Sequence, residues 1–253
     1  MLMILRQQKT VIKTAPFPHI HINNIFTDEF YKELNDNFPD ESWFADRENG
    51  DNRTTSHTNR FNLSAGQYGD TNFNTFINLE KNSCWKKLYE LVSSKDFTHK
   101  IINYFNQFLK PNGYIPAGYA KPTFDISYQT DGYFNPPHLD SVYHIAQMMI
   151  YLDPSGIEEG GDITTWHYNN NKLDVYESYK TTGNSALLWL NTDKSYHAAH
   201  PTLKGKRKTI YIAFDSVLSS AWNNRPGPSY FEYNKKNARS AWRIYDPATK
   251  SYG

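Results

Sequence analysis

Only one cysteine, Cys84, stands among the 253 residues. A lone thiol cannot close a disulfide within the chain, and it argues against thiolate-based metal sites. It is compatible with a reducing compartment. Long apolar runs are missing too. The opening MLMILRQQKT has a short apolar stretch broken by Arg6, too short for the core of a signal peptide and far too short for a membrane span. Elsewhere no run approaches the ~20 apolar residues that a spanning helix needs. The expectation is a soluble, cytoplasmic protein with no membrane partner. Charge of one sign is also not in excess: 27 Lys and Arg face 26 Asp and Glu, a formal net charge of +1. That balance leaves no electrostatic footprint for nucleic acid. The chain shows no internal repeat and no low-complexity linker.

Aromatic residues, by contrast, are plentiful at 16% of the chain, with 19 Tyr and 6 Trp. Such a chain buries large amphipathic side chains and is long enough to enclose a sizeable core. The mean hydropathy of −0.74 reflects frequent Asn, Lys and Tyr. Phe30, Leu34 and Phe38 recur at four-residue spacing behind Asp28 and Glu29, which predicts a short amphipathic helix ended by Pro39. Trp85, Leu88, Tyr89 and Val92 mark a second helix. Phe97, Ile101, Phe105 and Phe108 mark a third, stopped by Pro111 and Gly113. Between them, residues 40–67 are polar and turn-rich and read as a long loop, expected to cover the site and to order with substrate. Its Arg47, Arg53 and Arg60 are expected to be solvated, with contact between one of them and an acidic substrate group as the alternative.

After Gly113 the helical period disappears. TFDISYQT, IAQMMIYLD, DITTW, SALLWL and RKTIYIAF are short β-branched and aromatic runs separated by turn residues. They predict an antiparallel sandwich or barrel. The fold class is α+β in a single catalytic domain: a helical support layer and loop over 1–112, a β core over 113–216, and an extension over 217–253.

The segment PPHLD carries the first chemical signal. On an extended backbone i and i+2 share a face, so His138 and Asp140 can present an imidazole and a carboxylate together. A further His from a neighbouring strand would make three ligands and leave positions open, the arrangement suited to non-haem iron(II). Alone, H-x-D is a weak pattern. Both His197 and His200 lie downstream in SYHAAHPTLKGKRKTIYIAF, followed by Arg207 at a strand start. LKGKR reads as a tight turn, which predicts that the strands carrying His197 and Arg207 are antiparallel neighbours. Arg207, Thr209 and Tyr211 share one face of the last strand. A pocket-facing Arg needs an anion, and its planar fork suits a carboxylate, with Thr209 adding a hydroxyl.

Five elements in order over residues 128–214 resemble the iron(II)/2-oxoglutarate-dependent oxygenases, specifically the prolyl-4-hydroxylase-like branch. They are Tyr128 ten residues before His138 in YQTDGYFNPPHLD, the strand MMIYLD with Tyr151, the turn and strand EEGGDITTW, HAAHP, and Arg207 ten residues after His197. PFPHIHINNIF at 16–26 is loosely similar to the opening of bacterial and phage members. The resemblance implies a double-stranded β-helix, or jelly roll. It implies Fe(II) held by His138, Asp140 and His197, with 2-oxoglutarate as cosubstrate and ascorbate as a candidate reductant. It implies that Arg207 pairs with the remote carboxylate of 2-oxoglutarate, with Tyr151 and Thr209 helping and Tyr128 near the other end. The family spacing prefers His197 to His200. His144 is expected to line the pocket or the surface, and His19, His21 and His167 to be structural.

The expected activity is hydroxylation of an unactivated carbon, with succinate and CO2 as co-products. Relatives that halogenate lack the carboxylate that Asp140 supplies. An amino-acid side chain, free or in a peptide, leads as substrate, and a small metabolite follows. A non-catalytic jelly-roll binding module is the alternative, but it has no need of Arg207. A zinc hydrolase likewise leaves Arg207 unexplained.

Overall fold

The computed structural model describes residues 4–6, 10–46, 59–65, 71–109, 120–140, 144–169, 172–192, 194–216, 245–246 and 251–252. Two sheets face one another, and helices cover the outer face of the larger. The large sheet has seven strands. In chain order these are β1 (His19–Ile22), β2 (Ala45–Asp46), β3 (Arg60–Ala65), β4 (Ala120–Gln129), β6 (His144–Tyr151), β10 (Ser185–Leu190) and β13 (Arg207–Ser216). The small sheet has β5 (Asn135–His138), β8 (Ile163–Asn169), β9 (Lys172–Tyr179) and β11 (His197–Ala199). β7 (Ile157–Glu159) and β12 (Lys204–Gly205) form a separate ribbon, as do β14 (Tyr245–Asp246) and β15 (Ser251–Tyr252).

The antiparallel pairs are nested: β4 with β13, β5 with β11, β6 with β10, and β8 with β9. From β4 to β13 each arm of the nest, β4, β5, β6, β8 and β9, β10, β11, β13, alternates between the small and large sheets, so this part of the chain is one long hairpin wound into a double-stranded β-helix, as expected. The nesting corrects one local reading. β11 pairs with β5 and β8, whereas β13 pairs with β4 and β6. The strands of His197 and Arg207 are therefore not neighbours. Between them the chain detours through β12, which pairs with β7, and crosses from the small sheet to the large one.

Residues 40–67 differ from the loop reading where they are described. A 3-10 turn at Glu41–Trp43 precedes β2, and β3 continues the large sheet beyond β4. The polar composition of RFNLSA hid a strand because one of its faces lines the interior between the sheets, where Arg60, Asn62 and Ser64 are buried. The rest of that segment, including Arg47 and Arg53, and nearly all of 217–253 lie outside the described residues.

The helices follow their sequence signals. α1 (Asp28–Asp36) starts where the Thr27 hydroxyl accepts from the Phe30 amide, with Asp28 and Glu29 in the first turn. α2 (Thr71–Ile77) was not legible as a periodic stretch. α3 (Ser83–Val92) buries Trp85, Leu88, Leu91 and Val92. α4 (Lys95–Tyr104) is capped by Ser94 and buries Phe97, Ile101 and Ile102, and α5 (Asn106–Leu109) follows. Among the described residues no helix is long and apolar enough to cross a membrane. Cys84 is buried, and burial pushes its thiol up to about 11, out of the range of a nucleophile at neutral pH.

These helices pack on Ile126, Ile210, Ile212, Phe214, Met148 and Leu188, the outward residues of the large sheet. Trp85 anchors the layer: it is fully buried, and its indole N–H donates to the Asn37 carbonyl at 2.7 Å. Truncating it leaves a large cavity and strands that carbonyl. Trp85→Ala should therefore lower unfolding free energy by about 3–5 kcal/mol, read as a lowered urea midpoint at an unchanged slope.

Candidate active site

His138 ends β5 and His197 opens β11, and the two are direct register partners. The nested pairing closes the long sequence separation between them. Asp140 lies two residues past the strand end. Its Oδ1 is 3.3 Å from His138 Nε2, and its Oδ2 is 3.0 Å from His197 Nε2. The donor atoms of all three residues lie within 4.8 Å of one another, and this is the trio that could hold a metal among the described residues. Each imidazole is oriented from behind. His138 Nδ1 donates to the Pro136 carbonyl at 2.8 Å, and His197 Nδ1 donates to the Ser195 carbonyl at 2.9 Å. With Nδ1 carrying the proton, each Nε2 keeps its lone pair for a metal, which is how backbone carbonyls set the tautomer of a ligand. The donor set therefore fits iron(II). Leu139 turns away and packs with Trp166, Leu173, Tyr196 and Ala198.

Without a cation, the trio holds its charge through protons. Burial disfavours an ionised Asp140, but the two imidazoles outweigh it and hold its carboxyl well below the usual range. Burial also disfavours the His138 imidazolium, and Asp140 outweighs that, raising His138 above its ordinary value.

The large sheet supplies the opposite wall. Arg207 is 2% exposed on the inner face of β13. Its Nε donates to Gln129 Oε1 at 2.9 Å, and its Nη1 donates to the Gly161 carbonyl. The guanidinium lies 5.2 Å from the Tyr133 ring and 5.8 Å from the Tyr151 ring. No carboxylate pairs with it among the described residues. A buried cation without an anion is costly, so this site fits an anionic ligand. Thr209 is beside it, fully buried, its hydroxyl 2.8 Å from Ser127 Oγ and 3.1 Å from Gln129 Nε2. Tyr151 is buried on the same face, and burial raises its hydroxyl far above the ordinary value, so it stays a protonated donor.

The EEGG turn explains itself here. Gly160 and Gly161 both have positive φ, +72° and +69°. A Cβ on Gly160 would meet the Thr202 carbonyl at 2.1 Å. The turn thus lies directly against the segment after His197 while Gly161 presents its carbonyl to Arg207.

Tyr128 is not brought to this wall. Its ring stacks on Phe61 at 4.7 Å and meets Phe44 edge-on, with Lys206 Nζ at 4.3 Å. Strand alternation decides it: Ser127 and Gln129 face Arg207 and Thr209, so Tyr128 faces out toward the supporting layer. His200 is outside the trio, packed between Trp166 and Phe134. His144 is bonded to Asp215 near the Tyr211 ring. His19 is buried against Tyr179 at 2.6 Å, and His167 is exposed.

Sequence reasoning missed Gln129, Tyr133 and Gly161. Gln129 sits two residues past Ser127 on the face opposite Arg207, and that alternation was the available signal. Arg60, expected to be solvated, is 7% exposed on the inner face of β3. Trp189 joins the two walls, its ring 4.7 Å from that of His197.

Two facing sheets enclosing a two-histidine, one-carboxylate cluster make a jelly roll with a candidate metal site. The comparisons then specify the class. Residues 125–214 match the 2OG-Fe(II) oxygenase superfamily, a segment that contains all three candidate ligands and Arg207. The resemblance read from the motifs is borne out over this segment. Among solved structures, a prolyl hydroxylase from Trichoplax adhaerens, in complex with a hypoxia inducible factor peptide, is similar at 14% identity and a TM-score of 0.52. The match covers 78% of this chain and 83% of that one. A prolyl 4-hydroxylase from Phytophthora capsici is similar at 14% identity and a TM-score of 0.48, over 92% of this chain and 74% of the other. A viral collagen prolyl hydroxylase from Paramecium Bursaria Chlorella virus-1 reaches 12% identity and 0.45, over 79% and 96%. At these identities the likeness to the Trichoplax protein shows the shared fold, and the other two add no argument. No curated protein sequence matches.

Metal binding by the trio should strengthen as pH rises, because Nε2 must lose any proton before it can ligate. Asp140 holds that proton on His138, so the midpoint of the transition should lie above 6.5, the ordinary histidine value. Zinc competition titrations from about pH 5.5 to 8.5 would read this, and a midpoint below the ordinary value would contradict it.

Proposed function

We propose that the protein is an iron(II)- and 2-oxoglutarate-dependent dioxygenase. It hydroxylates an unactivated carbon of an amino-acid, peptide or small-metabolite substrate, releasing succinate and CO2. The observation that carries this reading is the pairing of two sites in one interior. Two tautomer-set imidazoles converge on a carboxylate, and a buried Arg207 stands on the facing wall with no carboxylate partner among the described residues. The trio would hold the metal with three protein ligands, a donor set that leaves positions for a cosubstrate and oxygen.

Bound iron(II) supplies the oxygen chemistry, with 2-oxoglutarate as the co-reductant and ascorbate as a candidate external reductant. The protein's own groups position and exclude. The Pro136 and Ser195 carbonyls hold both imidazoles in orientation. Arg207 receives the remote carboxylate of the cosubstrate, while Gln129 and the Gly161 carbonyl fix its fork. The Thr209 hydroxyl and the protonated Tyr151 phenol stand ready as further donors. Trp189, Leu187 and Tyr151 form the apolar flank of the interior that keeps water from the reacting centre. Tyr128, on the outer face, has a supporting role in this scheme. The leading substrate class is an amino-acid side chain, free or within a peptide, the latter by likeness to the peptide-bound Trichoplax enzyme.

His138→Ala, Asp140→Ala and His197→Ala should each abolish succinate formation from 2-oxoglutarate with little loss of fold, and His200→Ala should keep most activity. Loss of metal binding in His200→Ala but not in His197→Ala would reassign the third ligand. Arg207→Ala should weaken 2-oxoglutarate binding by about 2–5 kcal/mol, with Arg207→Lys recovering part of it because the charge survives and the fork does not. Unchanged cosubstrate affinity in Arg207→Ala would remove the case for this pocket. Hydroxylation itself is checked by label from O2 appearing in the product.

A further inference from the structure

The inner face of the large sheet changes character across its width. On β10 and β6 it is apolar, with Leu187, Trp189, Met149 and Tyr151. On β4 and β3 it is polar and charged. Register places Arg60 beside Gln129, Asn62 beside Ser127, and Ser64 beside Asp125. Each of these six is 9% exposed or less. Gln129 and Ser127 are taken up in the bonds that support Arg207 and Thr209. Arg60 and Asp125 are not explained by the cosubstrate site.

Arg60 donates through Nε to Asn62 Oδ1 at 3.1 Å, and its guanidinium lies 5.9 Å from the centre of the Tyr211 ring. Asp125 is the direct cross-strand partner of Tyr211. A buried cation and a buried anion therefore both neighbour Tyr211, yet no ion pair joins them and neither pairs with another charge among the described residues. The other acid on this face, Asp215, is already bonded to His144. Next to Arg60, the Asn62 Nδ2 donor is buried with no hydrogen-bond partner among the described residues, and so is Gln147 Nε2, whose Oε1 accepts from the Tyr211 hydroxyl at 2.6 Å. Stranded donors and unpaired charges in one interior are costly in the free protein, and a ligand with matching groups removes the cost. The metal trio is within electrostatic reach: Arg60 acts on His138, and Asp140 acts on Tyr211.

Resting on the dioxygenase reading of the same interior, we propose that the substrate is a free α-amino acid bound as a zwitterion. Its carboxylate sits on Arg60 and the Asn62 amide, its ammonium on Asp125, and its side chain points toward His138, Asp140 and His197. A residue inside a peptide has neither charge at its α-carbon, so it would leave Arg60 and Asp125 both buried and unpaired. A free amino acid carries both charges within a few ångströms of each other, as the placement of Arg60 and Asp125 beside Tyr211 asks. The apolar flank of Trp189, Leu187 and Met149 then receives aliphatic carbon, the part that is to be oxidised.

The test is calorimetric and needs no turnover. Anaerobic protein loaded with iron(II) is first titrated with 2-oxoglutarate; absence of binding there sinks the dioxygenase reading itself. Protein that does bind it is then titrated with each of the twenty L-amino acids, and with the α-amide and N-acetyl derivative of any that binds. At least one free amino acid should give saturable binding, and both derivatives should bind at least about tenfold more weakly. Arg60→Gln and Asp125→Asn should weaken that amino acid to a similar degree, with Arg60→Lys recovering part of the loss. Binding of 2-oxoglutarate with no binding by any free amino acid would overturn the proposal and leave the function standing. So would capped derivatives that bind as well as the free form. The comparison of derivatives is made on the unaltered protein, so it decides even if a variant does not fold.

Discussion

The two-residue alternation of β13 is the constraint on which both the fold and the site depend. Ile210, Ile212 and Phe214 point outward and hold the helical layer on the large sheet. Arg207, Thr209 and Tyr211 point inward and build the wall of the pocket. A slip of one residue in register would exchange the two sets, placing a guanidinium in the helical core and isoleucines against the candidate metal ligands. Pairing on both sides, with β4 and β6, fixes that register over the length of the strand. Stability and chemistry are therefore specified by the same ladder of hydrogen bonds.

The interior this creates is electrically unusual for a buried space. Two guanidiniums, Arg60 and Arg207, and three carboxylates, Asp125, Asp140 and Asp215, are enclosed between the sheets; among the described residues Asp140 meets the flanking imidazoles and Asp215 meets His144, while Arg60, Arg207 and Asp125 meet no opposite charge. Such charges detract from the stability of the ligand-free protein. The apolar layer on the other side of the same sheet, with Trp85, Phe97, Ile101 and their neighbours, offsets that penalty. An interior of this kind is stiff, dry on one flank and charged on the other, which suits a reaction that must position small polar molecules and exclude bulk water.

Much of the core was legible in the chain itself. The helices around Phe30, Trp85 and Ile101 appeared through their four-residue spacing and caps, and five strands of the core appeared through β-branched and aromatic runs. His138 and Asp140 were readable as a pair because i and i+2 share a face. His197, Arg207 and Thr209 followed from order and spacing along the chain. Residues 60–65 were hidden because a strand whose inner face holds Arg60, Asn62 and Ser64 has the composition of a loop. Tyr128 was placed by motif position alone, and the side to which a strand residue points depends on which neighbour faces the interior.

The sequence by itself determined the local periods, the ligand types and the likeness to an oxygenase core, because these depend on residues close together or on their order. Only the tertiary structure decided that His138 and His197 are register partners across 59 residues, and that their strands lie in a different sheet from that of Arg207. It alone brought Arg60, Asn62 and Asp125 onto the interior wall. The reason is that nested pairing joins residues far apart in the chain: which strand lies opposite which is settled by the packing of two whole sheets, and no window of sequence contains that information.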